Sequence, residues 1–370
     1  MKGIHIRNTF RIFKYKLRGY SFGKNVYIGK GTQIEGHKVH IGNDVHIGKN
    51  VRIRANEINV GDNCLFFDNV DVMVNNKFVL GKRCKISRNT VFRANNVLVG
   101  EELWCNEGVE IGGGGWKKST ADLFLGSNVH LGKNVMINVC QNVTIGNRTG
   151  IGIETIILTH SSGHGQSVLL GYEHREKSVS IGNNVSVYSR AFITPGTEIK
   201  DGVVLGAMSY ARGVLDAKCL YIGMPAKKTM MFFEMPIDVQ YKKLKSLMEK
   251  ELSLPFMTVG KTDIMLYQSV DEGRQYAVVL WSESDDIMLN ADFQTLETVS
   301  ICVVNVLGNN YEGNLSCEFD LKNLIMTGKT TFMSEKLRDI FRRYGLIFER
   351  RDYEPYLLDS NDFRKSGIEI

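Results

Sequence analysis

The sequence predicts a mainly β protein: a triangular solenoid of short strands, followed by a smaller α+β domain. Three observations predict it. Aliphatic residues return every six positions from Ile28 to Leu205. The beat closes after three steps, so each turn of the chain makes three faces. Beyond residue 230 the beat is lost, and helical and two-residue periods replace it. The expected organisation is a basic segment over residues 1–19, the solenoid over 20–230, and the second domain over 231–370.

Composition agrees with this reading. Hydrophobic residues make up 43% of the 370, enough for a large core. Glycine is common and proline scarce, at 37 against five, which favours turn-rich β structure over a proline-rich linker. The seven cysteines contain no CxxC pair, and an odd count suits reduced thiols. No apolar run approaches the length of a bilayer span. The N-terminus lacks the uninterrupted apolar centre of a signal peptide. A cytoplasmic protein is expected, with no nucleic-acid partner.

The first element is residues 1–19. No Asp or Glu precedes Glu35, whereas Lys2, Arg7, Arg11, Lys14, Lys16, Arg18, Lys24 and Lys30 do. Two readings stand. The segment is a solvated end helix that caps the next domain, or it is a basic, partly amphipathic surface in peripheral contact with anionic lipid.

The repeat comes next. One set on the beat is Ile34, Ile53, Val72, Phe92, Ile111, Ile137, Ile157 and Ile193. The second is Ile41, Val60, Leu80, Val99, Leu125, Ile145, Ile181 and Ile199. The third is Ile28, Ile47, Phe66, Ile86, Cys105, Leu131, Ile151, Val187 and Leu205. Each supplies one inward side chain per face, and Gly and Asn make the corners, where positive φ is easy. Stacked coils then supply one another's core and ladder hydrogen bonds. The irregular steps all fall between the first set and the second. The two largest follow Ile111, with eight extra residues, and Ile157, with eighteen. All insertions are therefore expected on one edge of the prism. A hidden coil within 157–181 would need apolar residues at 163, 169 and 175; Gly163 and Arg175 fail, so a loop is expected.

That loop opens with "ILTH", ending at His160, and closes with "GYEHREKSVSIGNNV". "ITPGTEI" follows at 193–199 and "IGMPAKK" at 222–228. With the hexads, these stretches resemble the left-handed β-helix (hexapeptide-repeat) acyltransferases, and most of all the maltose, galactoside and polysaccharide O-acetyltransferases. In that family a Thr-His or Thr-x-His opens a loop before an "IGNNV", and "INPGVTI" and "GNPAKV" come later. The likeness covers roughly residues 20 to 230. Ser186 stands where the family's aromatic is usual, Tyr188 replaces a Gly, and "YARGVLD" departs from the closing turn. These departures bear on the acceptor and the cofactor fit.

The resemblance implies a left-handed solenoid, transfer of acetyl from acetyl-CoA to a sugar or glycan hydroxyl, surface polysaccharide synthesis, and a homotrimer. It makes His160 the general base. A histidine titrates near neutrality and can take a hydroxyl proton, while the thioester is already activated. Asn138, on the insertion edge one coil earlier, matches a family Asn at the substrate. Ser189 and Ala207 match positions whose backbone meets the coenzyme A arm, and Arg212, Lys227 and Lys228 lie near its phosphate-binding basic residues. Trp116, in "GGGGWKKSTADLF", is a candidate platform for a sugar ring, or a loop residue packing on its own subunit. His164 and His174 are candidate acceptor contacts. A zinc site from the three loop histidines does not match known spacings, so no metal is expected. N-acetylation of an amino sugar and a silent scaffold remain open alternatives.

In the second domain, "VQYKKLKSLMEKEL" at 239–252 has helical spacing, and "DIMLYQSV", "QYAVVLWSE" and "ETVSICVVNVL" read as strands. Ser334 is expected to cap the helix "EKLRDIFRRYG", and Gly345 to end it. "TGKTT" at 327–331 lacks the first Gly of a phosphate loop and is expected to be a turn.

Overall fold

The computed structural model describes residues 2–161, 168–259, 262–268, 275–281, 300–306 and 316–350. Its contacts divide the chain into Met1–Phe233 and Glu234–Ile370.

The first unit is a stack of parallel coils. Register follows the three aliphatic sets. In the first, Ile34 stands beside Ile53, Phe92 beside Ile111, Ile111 beside Ile137, Ile137 beside Ile157, and Ile157 beside Ile193. In the second, Leu125 stands beside Ile145, Ile145 beside Ile181, and Ile181 beside Ile199. The third set forms its own 11-stranded sheet, while the first two share a 17-stranded one. They share it because Asp71–Leu80 and Val91–Val99 bend from the first face to the second without a break. The aliphatic sets are buried, and Phe78 packs with Phe66 and Phe92 at ring-centroid distances of 6.5 and 5.9 Å.

The two tight edges are built by single residues with positive φ. Asn63, Arg83, Glu102 and Arg148 turn from the second face to the third; Asn50, Asn69, Asn89, Asn134 and Arg190 turn from the third to the first. This conformation costs roughly 1 kcal/mol or more for a residue with a Cβ. Side chains linked coil to coil offset it. Arg83 donates to Glu102 at 2.8 Å, Arg148 to Asn184 at 2.8 Å, and Arg190 to Glu154 at 2.7 Å. Asn and Gly were legible as corner residues; Arg and Glu at the same corners were not, because their pairing spans a whole coil.

The helix Lys2–Lys16 closes the N-terminal end of the stack. Asn8 donates to Val26 O and accepts from Ile28 N, both at 2.9 Å. Arg11 donates to Ile28 O at 2.6 Å. The Tyr15 hydroxyl accepts from Ile34 N at 3.1 Å and donates to Thr32 O at 3.2 Å. Polar side chains thus satisfy the open ladder edge of the first coil, which would otherwise invite another strand.

In the second unit, Met257–Val259, Thr262–Gln268, Gln275–Trp281, Ser300–Asn305, Cys317–Asp320, Ile325–Gly328 and Glu349–Arg350 form a mixed sheet. The helices Ile237–Leu252 and Phe332–Arg343 accompany it. Leu244 and Met248 are buried in its core, as helical spacing requires. Thr331, not Ser334, is the N-cap of the last helix. Ser334 lies three residues in and completes a reciprocal capping box, with Ser334 N to Thr331 Oγ1 at 3.1 Å and Thr331 N to Ser334 Oγ at 2.8 Å. "TGKTT" is therefore a strand end plus a helix cap. Asp263 is buried; burial raises its pKa, but bonds from Thr258, Lys245 and Tyr241 outweigh this and hold it below the usual carboxylate range. Among the described residues no helix is long and apolar enough to cross a membrane.

Candidate active site

The strand Ile156–Ile157 on the first face is followed on the second face by Val179–Ile181, which pairs with Val143–Ile145, so the long insertion of the sequence falls between these two rungs. His160–Ser161 and Arg175–Glu176 close its base as a short antiparallel ladder, with His160 opposite Glu176. His160 is thereby fixed at the loop mouth and half-buried.

Asn138 decides what His160 can do. It ends the strand Met136–Asn138, one coil earlier, and is only 3% exposed. Its Nδ2 donates to Gly112 O at 3.0 Å and Gly114 O at 3.2 Å. Two carbonyls can only accept, which fixes the amide's orientation. Its Oδ1 accepts from Cys140 N at 3.3 Å and from the Thr159 hydroxyl at 2.7 Å. His160 Nδ1 lies 2.7 Å from the same oxygen, so Nδ1 carries the proton. In the neutral ring Nε2 then holds the free lone pair. Asn138 lines the cleft, and both ends of its amide engage protein groups. Its oxygen fixes the orientation of the His160 ring.

The glycine-rich insertion forms the facing wall. Gly113 and Gly115 have φ of +84° and +85°, and a Cβ would come within 2.8 Å of Asn138 Nδ2 and 2.5 Å of Cys140 Sγ respectively. Gly114 differs: a Cβ there would sit 3.7 Å from His160 Nε2. Its missing side chain leaves space in front of that lone pair. The cleft, about 310 Å³, is lined by Glu110, Gly112, Gly113, Gly114, Met136, Asn138, Leu158, His160 and Ser161.

The two insertions are tied together. Lys118 donates to both carboxylate oxygens of Glu176 at 2.6 Å, and Gln141 donates to Glu176 at 3.1 Å. The Lys118 ammonium, with help from Gln141, holds Glu176 below the usual carboxylate range. Glu176 in turn raises Lys118. Burial, chiefly, pushes the neighbouring Cys140 thiol up, which disfavours a thiolate beside His160.

The other expected residues are distributed around the prism. Trp116 is half-buried against the solenoid core and does not line the cleft. His174 is exposed, edge-on to Tyr172 at 5.4 Å. His164 lies outside the described residues. Ser189 and Ala207 are exposed on the edge between the third and first faces. Gly152 precedes them there, and a Cβ on it would come 2.6 Å from Ser189 N. Lys227 pairs with Ile222 at the C-terminal end of that edge and is exposed. Lys228 is engaged by Asp216 at 3.1 Å. Arg212 follows Ala211 of the first face and so lies on the insertion edge, as His160 does. Within one chain, the first face separates His160 from Ser189, Ala207 and Lys227. Thr159, Gly114, Lys118, Gln141 and Glu176 were not singled out from sequence. Thr159 directly precedes His160, but the others join the site only across coils. Among the described residues, no group of three His, Cys, Asp or Glu side chains gathers.

No family model matches the chain. A curated relative named as a lipopolysaccharide biosynthesis O-acetyl transferase, WbbJ of Escherichia coli, is 26% identical over 175 residues, covering 42% of this chain and 83% of its own. Among solved structures, the N-acyltransferase AntD of Bacillus cereus is 17% identical, covers 63% of this chain and 95% of its own, and gives a TM-score of 0.31. A maltose O-acetyltransferase of Clostridium difficile 630 is 20% identical, covers 48% and 70%, and gives 0.26. LpxA of Acinetobacter baumannii is 15% identical, covers 62% and 83%, and gives 0.42. In its repeat and in its similarity to the Escherichia coli relative, the chain resembles the hexapeptide-repeat acyltransferases.

Proposed function

We propose that the protein is an acetyl-CoA-dependent O-acetyltransferase whose acceptor is a sugar or glycan hydroxyl, with His160 as general base. The observation that carries this is the Asn138–His160 pair, which in the neutral ring leaves the Nε2 lone pair free beside an open cleft. Acetyl-CoA supplies an acyl group already activated as a thioester. His160 Nε2 takes the proton as the acceptor oxygen bonds to the acyl carbon. The C–S bond breaks, and Nε2 returns the proton to the departing sulfur. The cleft walls hold the acceptor in line. The name of the Escherichia coli relative supports a glycan acceptor in surface polysaccharide synthesis.

Gly152, Ser189 and Ala207 are small and follow one edge toward Lys227, which suits a pantetheine arm ending at a basic residue. A face about 20 Å wide separates that edge from His160. A complete site thus draws its base and its cofactor edge from different copies, and a closed threefold ring supplies this at every interface. By the resemblance to the hexapeptide-repeat acyltransferases the solenoid winds left-handed. The test is thiol release from acetyl-CoA across a panel of sugars and oligosaccharides, comparing the native chain with His160→Ala. Acceptor-dependent release that the substitution removes supports the reading. Acceptor-independent release points to hydrolysis of the thioester, and absent release with every sugar points to a scaffold.

A further inference from the structure

The N-terminal helix is amphipathic in the inverted sense. A capping helix ordinarily turns its apolar residues inward and its polar residues to water. Here the face on the solenoid carries Asn8, Arg11 and Tyr15, which hydrogen-bond the first coil, with Ile12 packed between them. Phe10, Phe13 and Leu17 point away, 71%, 57% and 73% exposed. Leu17 N still bonds Phe13 O at 3.0 Å, so the three form one stripe at helical spacing. At 100° per residue it lies opposite the capping face. Lys14 and Lys16 are exposed on its two flanks, and Arg18 is exposed just beyond. The first carboxylate in the chain is Glu35.

Exposed aromatics are unfavourable in water, and the fold gives them no partner within the solenoid. Apolar side chains flanked by lysines, on a helix with no Asp or Glu of its own, match the boundary of an anionic bilayer. Rings and leucine enter the acyl region while ammonium groups meet phosphates. We propose that this helix is a bifunctional cap: its inner face closes the solenoid, and its outer face seats the protein on an anionic phospholipid surface. The capping bonds hold the helix folded beforehand, so no ordering of the chain opposes adsorption.

The experiment uses the full chain with vesicles of phosphatidylcholine alone or mixed with phosphatidylglycerol, read by flotation. The native protein should float with the mixed vesicles and not with the neutral ones. The triple variant Phe10→Ser, Phe13→Ser, Leu17→Ser should lose flotation with an unchanged melting temperature, because none of the three packs on the coil. Lys14→Glu with Lys16→Glu should weaken binding by about thirtyfold or more, at roughly 1 kcal/mol for each lysine lost near the surface. Absence of native flotation on mixed vesicles overturns the proposal. So does a serine variant that floats as the native chain does, which would leave only polyanion attraction. If native flotation is absent and the serine substitutions instead lower the molecular mass in lipid-free sedimentation, the stripe joins copies of this chain.

Discussion

At the scale of the residue, the site turns on one buried amide. Asn138 accepts from His160 and donates to the carbonyls of Gly112 and Gly114, so it sets both the tautomer and the opposing wall. His160→Ala should lower acetyl transfer by about 10² to 10⁴-fold while the melting temperature holds, since the side chain is half-buried at a loop mouth. His174→Ala should cost far less, its ring being exposed; an equal loss would make the two a pair. Asn138→Ala should damage folding as well, by about 1–3 kcal/mol for the donors and acceptors left unpaired in a buried place. Its kinetic signature should be a fall in kcat with little change in acceptor KM, because it acts through the histidine. A paired test separates the glycines. Gly113→Ala should destabilise the protein, since its φ is +84° and its Cβ meets Asn138. Gly114→Val should leave stability alone and reduce acceptor binding, measured as a raised KM.

At the scale of the element, two insertions from one edge become a single rim through Lys118 and Glu176. The signs of their shifts define when the rim holds. Glu176 is depressed, so its contribution is present above the ordinary carboxylate pKa and lost as pH falls through its lower, folded value. Lys118 is raised, so its contribution is present below the ordinary lysine pKa and lost as pH climbs through its higher, folded value. The tie is therefore constant across the neutral range. Both ends are exposed, and such pairs contribute little to stability. Lys118→Ala should leave the melting temperature nearly unchanged at neutral pH and raise acceptor KM, by freeing the glycine wall from the histidine loop. A large fall in melting temperature would show that the pair is structural.

At the scale of the whole molecule, the placement of His160 and Lys227 on different edges makes the assembly testable by complementation. Each chain of a ring would give its base to one interface and its cofactor edge to another. His160→Ala and Lys227→Glu should each be nearly inactive alone. Refolded together, they should recover a fraction of native transfer, because some interfaces then pair an intact histidine with an intact lysine. No recovery, with mixed assemblies confirmed by mass, would place both residues in a site within one chain.

Much of this was open to sequence reading because the solenoid is nearly one-dimensional. Each coil contacts only its neighbours, so a six-residue beat fixes which residues are buried, and the irregular steps locate the insertion edge. His160 was singled out by its place at the loop mouth together with the family resemblance, because the beat opens just before it, after Ile157. The second domain was legible only as elements. Its last helix starts at Thr331 because the reciprocal bond to Ser334 can be recognised only once both are placed. The sequence by itself thus determined the coil, its register and the edge that carries the loops, all of which follow from local spacing. Only the tertiary structure decided the tautomer of His160, the commitment of Asn138 to protein groups, the Lys118–Glu176 tie and the outward stripe of the N-terminal helix. Each depends on which partner a side chain meets one or more coils away, and a periodic pattern carries no record of that.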